Sequence, residues 1–379
     1  MNKVKIGICG LNRGRIHLMN LLLNDKYEVV AICDKNKEVA DNIYQKYCKD
    51  KNVKVYYDVK DLCADKNVDT VLVATPIDVH AEHVICALNA KKNVFSEVIV
   101  ATTIEDIKRI QVALKKSGKK YISLENYCYI RPLLIVENLV KEGKIGEIYY
   151  AESDYLKDFQ EYNPNFPNVG GWRQQEYFGR KGHPYITHSL GPLLHLMGEK
   201  VVKVIAMGAG NHFDMVADET CVLMLETEKG HLIRLRSSFV SPRPDSVTYY
   251  SIQGMNGCYQ APDGPNDFHK IYIPEFCKAG GWNNPGQWRN IYDLKDHIPE
   301  YWKNYWNPYD FDGKNDNDTY ELYDSGLKVM YDKFAESLLN GTDVPISFED
   351  AANWTAAGIL SAQSVIEGGA PVDVPTFDK

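Results

Sequence analysis

The stretch VKIGICGLNRGRIH, residues 4–17, decides the fold class of this chain. A short apolar run leads directly into a turn that contains Gly10 and Gly14, with Gly7 just before it. Glycines at a strand-to-helix turn let the backbone approach a pyrophosphate, and the helix N-terminus supplies N–H groups and the positive end of a dipole. Asn12 replaces the second glycine of the usual G-x-G-x-x-G, but asparagine tolerates left-handed geometry. The stretch therefore predicts the first unit of a dinucleotide-binding domain.

Short apolar runs continue to alternate with amphipathic segments up to about residue 125. The runs are YEVVAIC, VDTVLVAT, NVFSEV and KKYISLE, and segments such as HAEHVICALNAK lie between them. Continuous apolar strands that alternate with helices are typical of a parallel sheet covered on both faces. Right-handed crossovers then give a doubly wound sheet. We predict an α/β fold with a Rossmann domain, expected to bind NAD, over residues 1–125.

The pattern changes after residue 146, where longer strand-like runs follow each other closely. These runs are EIYYAESDYL, VVKVIAMG, ETCVLMLETE, HLIRLRSSFV and SVTYYSIQG. Their partial alternation favours a mostly antiparallel, open sheet. We predict an α+β domain over residues 126–379 for substrate binding and dimerisation, although the C-terminal helices could pack back on the first domain. Residues 260–315 form a long segment of low periodicity, which is more often functional than incidental.

Composition excludes several classes of protein. The 43 basic and 51 acidic side chains give a net charge of −8, and no basic stripe is present, so nucleic acid is an unexpected partner. Nine scattered cysteines without a CxxC favour reduced thiols, with no disulfide framework and no metal site. The N-terminus enters a strand without a signal peptide, and no apolar run is long enough to span a bilayer. A cytoplasmic protein without membrane contact is expected.

Further residues at the predicted strand ends indicate cofactor contacts. Asp34 ends the second strand, where an acid hydrogen-bonds the adenosine ribose and repels a 2′-phosphate, so NAD is favoured over NADP despite neighbouring Lys35. A capping role for this acid is the alternative. The segment ATPIDVH ends the next strand of the pattern at the same sheet edge. The residues expected at the cofactor are Gly10, Asn12, Arg13, Gly14, Asp34, Thr75, Pro76, Asp78, His80, Glu97, Val98 and Asn126. Asp78 and His80 could equally be ordinary helix-start residues.

Glu97 follows the apolar run NVFS and is itself followed by Val98. The glycine-rich turn, Asp34, TPIDVH and a glutamate at this strand end resemble the Gfo/Idh/MocA oxidoreductases. In dehydrogenases of that family a lysine follows the acid and assists removal of the hydroxyl proton. A valine cannot exchange a proton, so the usual dehydrogenase arrangement is broken here.

Valine in place of the usual lysine after the acid matches one branch of the family. The segments SEV, TTIEDI, LENYCYIR, GEIYYAESDYL, GWR, YITHSLGP and the closing EDAANWTA, LSAQSV and PVDVP resemble the NAD-dependent glycoside hydrolases of family 109, the α-N-acetylgalactosaminidase type. The resemblance covers nearly the whole chain and is weakest over residues 260–330. It implies a carbohydrate or glycoside substrate and a tightly bound NAD that is recycled, because no net redox change occurs.

The resemblance also implies a mechanism. Oxidation of the sugar at C3 makes the C2 hydrogen acidic, loss of that proton expels the group at C1, water adds, and C3 is reduced again. Proton carriers are therefore needed near C3 and C2. Tyr185 and His188, in HPYITH, lie three residues apart at a predicted helix start. Histidine can both give and take protons near neutral pH, so His188 is expected to bind substrate at the C3 hydroxyl, with Tyr185 as its partner or as a further substrate contact.

Further polar and aromatic residues are candidates for cofactor and substrate contacts. The resemblance implies that Asn126 contacts the cofactor, and Tyr127 or Tyr129 could serve proton transfer at C2. Tyr155 and Arg173 match substrate-contact positions of the family. The residues predicted to be catalytic are His188, Tyr185, Tyr127 and, for orienting hydroxyls, Glu97. The structural alternatives are a capping histidine for His188, a core tyrosine for Tyr185, a packed strand residue for Tyr155 and a surface ion pair for Arg173.

Two other functions remain open on the sequence. The first is an NAD-dependent sugar or glycoside dehydrogenase of the same family that releases NADH, which Val98 disfavours although a Tyr/His pair could substitute. The second is a sugar or nucleotide sensor without catalysis. The resemblance also implies a homo-oligomer through the second-domain sheet. The sugar, its anomer, the aglycone and the identity of the C2 base are not determined by these patterns.

Overall fold

The computed structural model describes residues 3–158, 181–210, 212–213, 216–264, 266–277, 287–298 and 326–378. The chain divides into two compact units. Unit 1 comprises Met1–Asn126, Phe311–Ala352 and Phe377–Lys379, and unit 2 comprises Tyr127–Asp310 and Asn353–Thr376. Each unit has its own sheet and its own core.

Unit 1 contains a six-stranded parallel sheet of order β3-β2-β1-β4-β5-β6 within the described residues. The strands are β1 (Val4–Cys9), β2 (Tyr27–Cys33), β3 (Lys54–Tyr56), β4 (Thr70–Val73), β5 (Asn93–Ser96) and β6 (Tyr121–Ser123). Five of them are the apolar runs of the sequence, and β3 is a short edge strand that the pattern did not predict. The doubly wound sheet is confirmed, and its strand order reverses between β1 and β4.

Helices connect the strands of unit 1. They are α1 (Leu11–Leu23), α2 (Lys37–Ile43) with a π-helical continuation (Tyr44–Cys48), α3 (Val59–Ala64), α4 (Ile77–Asn89) and α5 (Ile104–Ser117). Local chemistry sets several ends, as in α5, where the Thr103 hydroxyl accepts from the Asp106 N–H at 3.0 Å and Gly118 ends the helix in the left-handed region. A later helix, α8 (Leu327–Leu339), and the first residues of α9 (Phe348–Ile366) also belong to this unit.

Unit 2 contains a mixed, mostly antiparallel sheet of nine described strands in the order β14-β13-β12-β11-β7-β10-β9-β8-β15. Its long strands are β7 (Ile148–Leu156), β8 (Val201–Gly208), β9 (Thr220–Thr227), β10 (Leu232–Ser238) and β11 (Ser246–Gly254). The shorter ones are β12 (Cys258–Gln260), β13 (Lys270–Tyr272), β14 (Arg289–Asn290) and β15 (Val372–Asp373). Only the β7–β10 pair is parallel among these pairings. The long segment after residue 260 thus adds short strands to the sheet.

Among the described residues, helix covers one face of this sheet, and the other, here called the open face, carries partly exposed side chains. Helix α7 (Thr187–Met197) packs on β7 and β11, and α6 (Arg131–Lys141) packs on α7. Alternation along β10 buries Ile233 and Leu235 and leaves Arg234 and Arg236 partly exposed. Such alternation is expected of a sheet with one core face and one outer face. No helix among the described residues is long and apolar enough to cross a membrane.

Candidate functional site

The first strand-to-helix turn of unit 1 accepts only glycine at its centre. Gly10 has φ +88°, and a Cβ there would lie 2.6 Å from the Ala74 carbonyl oxygen. Gly14 packs helix α1 against β1, since a Cβ there would lie 2.9 Å from the Ile8 Cγ2. Gly10, at the N-cap of α1, brings no side chain to the start of the helix. This is the cradle that a dinucleotide pyrophosphate requires.

Asp34 follows β2 at the same edge of the sheet. Its Oδ2 accepts the Leu11 N–H at the start of α1 (2.8 Å), and its Oδ1 accepts the Asn36 N–H (2.9 Å). The carboxylate therefore serves as a cap for α1, as the alternative interpretation expected, and lies where this fold holds an adenosine ribose. The two roles are compatible, because each carboxylate oxygen has more than one lone pair. Asn12 is exposed in the first turn of α1.

The ATPIDVH segment forms the loop after β4 and the start of α4. Pro76 caps this helix and Asp78 lies exposed in its first turn, while Thr75 Oγ1 lies 3.1 Å from His83 Nδ1. His80 is buried, with Nε2 2.7 Å from Ser96 Oγ. Burial lowers the pKa of His80 to about 4, so its imidazole is neutral at neutral pH. The ring of His80 ties α4 to β5, and cofactor contact by this side chain stays a prediction.

Glu97 follows β5 and is held on several sides. Its Oε1 lies 2.6 Å from both Arg13 Nε and His17 Nε2, and its Oε2 accepts the Val98 N–H at 3.1 Å. Burial alone would raise the pKa of Glu97, but the Arg13 charge and the His17 hydrogen bond outweigh it and hold that pKa well below its usual value. Glu97 is therefore a fixed anion. The sequence interpretation missed His17, although its position one helical turn after Arg13 was an available signal.

The segment after β6 forms a short 3₁₀ helix, Asn126–Tyr129. Asn126 is buried and belongs to unit 1. The sequence did not decide whether Tyr127 or Tyr129 lies near the reacting proton, and the structure gives the two side chains different surroundings. Tyr127 stacks on His188, whereas Tyr129 is fully buried with its ring 6.2 Å from that of His195. Of these two tyrosines, it is therefore Tyr127 that lies beside His188, the residue expected to carry the proton.

Four residues predicted from the sequence form one aromatic cluster in unit 2. Tyr185 Oη lies 3.1 Å from His188 Nε2. The Tyr127 ring is stacked on the imidazole with centroids 4.4 Å apart, and the Tyr155 ring lies 5.8 Å from it at 27°. Tyr155 is buried with Phe239, and Tyr127 and Tyr185 pack against that core. An imidazole and a phenol in hydrogen-bond contact can pass a proton between a bound hydroxyl and each other.

Of two buried residues that the sequence interpretation missed, Tyr250 bonds to this cluster and His183 lies against Phe239, with ring centroids 4.4 Å apart. Tyr250, fully buried on β11, donates its hydroxyl proton to the His188 carbonyl oxygen at 2.5 Å. His183 is also buried, with Nδ1 2.8 Å from Ser237 Oγ and Nε2 2.8 Å from the Asp218 carbonyl oxygen. Burial lowers the pKa of His183 to about 4. Alternation along SVTYYSIQG was the signal that could have placed Tyr250 on the inner face.

Arg173, predicted to contact substrate, lies outside the described residues. Among the residues that the structure describes, no group of three or more His, Cys, Asp or Glu side chains could hold a metal ion.

Family models match three parts of the chain. The oxidoreductase family model with an NAD-binding Rossmann fold, GFO_IDH_MocA, matches residues 4–124, and the GFO/IDH/MocA C-terminal domain matches residues 134–260. The glycosyl hydrolase 109 C-terminal domain matches residues 211–379. Together these matches cover both units.

Curated proteins are similar over the whole length. A glycosyl hydrolase family 109 protein of Shewanella sp. (strain W3-18-1) is 26% identical, covering 100% of this chain and 86% of that protein. The alpha-N-acetylgalactosaminidase of Shewanella oneidensis is 25% identical with the same coverage.

Solved structures share the fold at lower identity. The oxidoreductase domain protein of Kribbella flavida has a TM-score of 0.79 and 21% identity, over 99% of this chain and 100% of that one. The WlbA dehydrogenase of Bordetella pertussis, in complex with NADH and UDP-GlcNAcA, has a TM-score of 0.74 and 18% identity, over 99% and 98%. With the glycine cradle and the parallel sheet, these matches identify the chain as an NAD-binding member of the Gfo/Idh/MocA oxidoreductase family that carries a glycosyl hydrolase 109 C-terminal domain.

Proposed function

We propose that this protein is an NAD-dependent glycoside hydrolase, of the α-N-acetylgalactosaminidase type or a related glycosidase. The observation that carries the proposal is the contact between Tyr185 and His188, 3.1 Å from oxygen to nitrogen, beside the stacked ring of Tyr127. Val98 occupies the position where dehydrogenases of the family have lysine. Proton transfer is thus assigned to tyrosine and histidine. The similarity to a curated alpha-N-acetylgalactosaminidase supports the same choice.

In this proposal NAD binds to unit 1. The start of α1, where Gly10 brings no side chain, would hold the pyrophosphate, and the Asp34 carboxylate would accept the adenosine ribose hydroxyls. The loop at Thr75 and the side chains of Asn126 and Val98 are the further contacts that we assign. When bound, NAD would supply a reversible two-electron oxidation at C3 of the sugar. Because the reaction as a whole is redox-neutral, we expect the cofactor to stay bound through turnover.

His188 is assigned the proton of the C3 hydroxyl. Its Nε2 faces Tyr185 Oη, so the proton accepted by one group can be shared with the other. The Tyr250 hydroxyl holds the His188 backbone, and the flanking Tyr127 and Tyr155 rings restrict rotation of the imidazole. The cluster therefore presents a preorganised proton carrier.

We assign to Tyr127 the transfer of the proton at C2 of the sugar. It is the tyrosine of the 3₁₀ helix that lies against His188, while Tyr129 is fully buried. A phenol has to lose its own proton before it can take one from C2, so Tyr127 would act there as a phenolate whose proton has passed to solvent. Tyr155 would pack against the sugar ring, and Arg173 is a predicted substrate contact.

Glu97 is not assigned a proton. Arg13 and His17 hold its carboxylate as an anion, and its low pKa makes it a poor acid. Its proposed role is to orient hydroxyl groups or the side chains that surround it. In this proposal the aligning carboxylate of Glu97 is thus separate from the proton carriers of unit 2.

Hydrolysis of a panel of nitrophenyl glycosides by the purified protein, without added cofactor, tests the proposal. We expect release of nitrophenol together with exchange of the C2 hydrogen for deuterium in D₂O. Mass spectrometry and absorbance of the same preparation should detect bound nicotinamide cofactor. Hydrolysis with complete retention of the C2 hydrogen would refute the elimination mechanism.

A sugar or glycoside dehydrogenase is the second candidate. It is favoured by structural neighbours that are dehydrogenases, such as WlbA and the scyllo-inositol dehydrogenase of Lactobacillus casei with NAD(H) and scyllo-inositol, which has a TM-score of 0.68 and 20% identity. The Tyr185–His188 pair could remove a hydroxyl proton in that reaction too. Steady accumulation of NADH with a free sugar, without glycosidic cleavage, would establish this alternative.

We also propose that the open face of the unit 2 sheet binds a second copy of the chain. Met207, Val222 and Leu232 are 66%, 42% and 38% exposed on neighbouring strands. Between them lie ion pairs such as Arg236–Asp154 and Lys203–Glu226 (2.9 Å). Exposed apolar side chains interleaved with paired charges suit a self-complementary interface.

A further inference from the structure

A buried hydrogen-bonded chain of side chains runs through unit 1 to Glu97. It begins at Tyr331 on α8, whose hydroxyl contacts Nδ1 of His17. Nε2 of His17 lies 2.6 Å from Glu97 Oε1, which also lies 2.6 Å from Arg13 Nε. Tyr331 and His17 are both 0% exposed. This series of hydrogen bonds joins α8, near the C-terminus, to α1, the first helix of the Rossmann domain.

The protons of this chain can be assigned from the charges. Glu97 is an anion and only accepts, so Nε2 of His17 carries a proton and donates it. Burial raises the pKa of Tyr331 well above its usual value, and the nearby Glu97 charge raises it further, so its hydroxyl stays protonated. Tyr331 and Nδ1 of His17 share the second hydrogen bond of the imidazole, and its direction depends on whether Nδ1 also carries a proton.

A carboxylate, an imidazole and a hydroxyl in sequence are also the parts of a nucleophilic triad. Burial excludes that use here, because the Tyr331 hydroxyl has no exposed surface and cannot meet a substrate. Burial also argues against a proton relay, since the chain would end at a tyrosine that holds its proton. What the arrangement can do is fix the carboxylate of Glu97 and, through it, the side chain of Arg13 in the first turn of α1.

We propose that His17 and Tyr331 are positioning residues that hold Glu97 and Arg13 in the orientation required for NAD binding. Neither touches the cofactor in this proposal, and both act through Glu97. It rests on the assignment of NAD to unit 1 but not on the glycosidase reaction, so it can be tested by binding alone.

The first test compares two tyrosine-to-phenylalanine variants of the full chain. Tyr331→Phe removes the hydroxyl that holds His17, and it keeps the ring contacts with Tyr27 and Phe95. Tyr27→Phe is the matched control. The buried hydroxyl of Tyr27 donates to the Tyr331 carbonyl oxygen at 2.7 Å, but it is not one of the groups that link Tyr331 through His17 to Glu97. By titration calorimetry of cofactor-stripped protein, Tyr331→Phe should weaken NAD⁺ binding about three- to tenfold, the size of one lost hydrogen bond, while Tyr27→Phe binds like wild type.

The second test replaces the imidazole. Gln at position 17 can still donate an N–H to Glu97, whereas Leu cannot, so His17→Gln should bind NAD⁺ more tightly than His17→Leu. Nitrogen NMR of histidine-labelled wild-type protein should show a proton on Nε2 of His17, the nitrogen that faces Glu97. This measurement needs no variant, so it remains decisive if Tyr331→Phe does not fold.

Three results would overturn the proposal. They are wild-type NAD⁺ affinity in folded Tyr331→Phe, equal affinities of His17→Gln and His17→Leu, or an Nε2 of His17 that carries no proton. Equal weakening by Tyr27→Phe and Tyr331→Phe would likewise reduce both hydroxyls to a general structural role. Absence of glycosidase activity in the wild type would leave each of these comparisons intact, so the two proposals fail separately.

Discussion

The imidazole of His188 lies nearly parallel to the ring of Tyr127, with 4.4 Å between centroids and 22° between planes. This stacking leaves the edge of the imidazole to its other partner, Tyr185, whose hydroxyl meets Nε2. The ring is thus held at its face, and its edge meets the Tyr185 hydroxyl. Such preorganisation favours proton transfer, because the carrier need not reorient during the reaction.

Loss of the imidazole should abolish most turnover. We expect His188→Ala to lower kcat by about 10²- to 10⁴-fold, the usual contribution of a positioned acid or base, and Tyr185→Phe to lower it less, by about tenfold. Steady-state kinetics on a nitrophenyl glycoside that the wild type cleaves provide the measurement.

A second Tyr–His pair in unit 2 offers a matched control. Tyr259 Oη lies 2.7 Å from His269 Nδ1, and the two rings are stacked. Tyr259→Phe removes an equivalent hydrogen bond and should keep kcat near wild type. An equal loss of kcat in Tyr259→Phe and Tyr185→Phe would contradict a catalytic role for Tyr185.

Asp34 should control the choice of dinucleotide. Because its carboxylate would accept the ribose hydroxyls and repel a 2′-phosphate, Asp34→Ser should weaken NAD⁺ binding about tenfold and improve NADP⁺ binding. Asp58→Ser changes the cap of α3, where the carboxylate accepts the Lys60 N–H at 2.8 Å, and should leave both affinities unchanged. Unchanged discrimination in Asp34→Ser, measured by calorimetry, would count against this assignment.

Buried histidines should make the fold sensitive to mild acid. Burial lowers the pKa of His183 to about 4, whereas an unfolded histidine titrates near 6.5. Between these values the unfolded chain binds more protons than the folded one, so stability rises with pH and falls as pH drops from about 6.5 towards 4. The expected loss from this residue is about 2 kcal/mol between pH 7 and pH 5.

Urea unfolding at pH 7 and at pH 5 measures this loss of stability. His183→Gln should reduce the difference between the free energies of unfolding at pH 7 and pH 5, whatever its effect at pH 7 alone. His212→Gln, at an exposed histidine, should leave that difference as in the wild type. A wild-type difference in His183→Gln would show that His183 does not carry the effect.

The open sheet face should determine the oligomeric state. A charge at the centre of the exposed apolar row, as in Val222→Asp, should shift the protein to monomer, because a buried unpaired charge opposes association. Exposed Val112 on α5 of unit 1 provides the control substitution Val112→Asp. Light scattering after size exclusion decides the outcome, and a wild type that is already monomeric would contradict the interface.

Much of the fold follows from local patterns in the sequence. The apolar runs became β1, β2, β4, β5 and β6, and the glycine turn became the start of α1, because these features depend on near neighbours. The edge strand β3 escaped notice, since a three-residue strand leaves too short a pattern. The spacing of Tyr185 and His188 likewise predicted their contact, because residues three apart meet at a helix start.

By itself, the sequence determined the parallel sheet, the open second sheet, the glycine cradle and the Tyr185–His188 pair, all of which depend on short-range periodicity. The tertiary structure alone decided that Tyr127 rather than Tyr129 meets His188, and that Tyr250 holds its backbone from 62 positions away. It also decided that Glu97 is a fixed anion, since Tyr331 reaches His17 across 314 positions. Such contacts exist only after packing brings distant helices and strands together, so no local pattern can predict them.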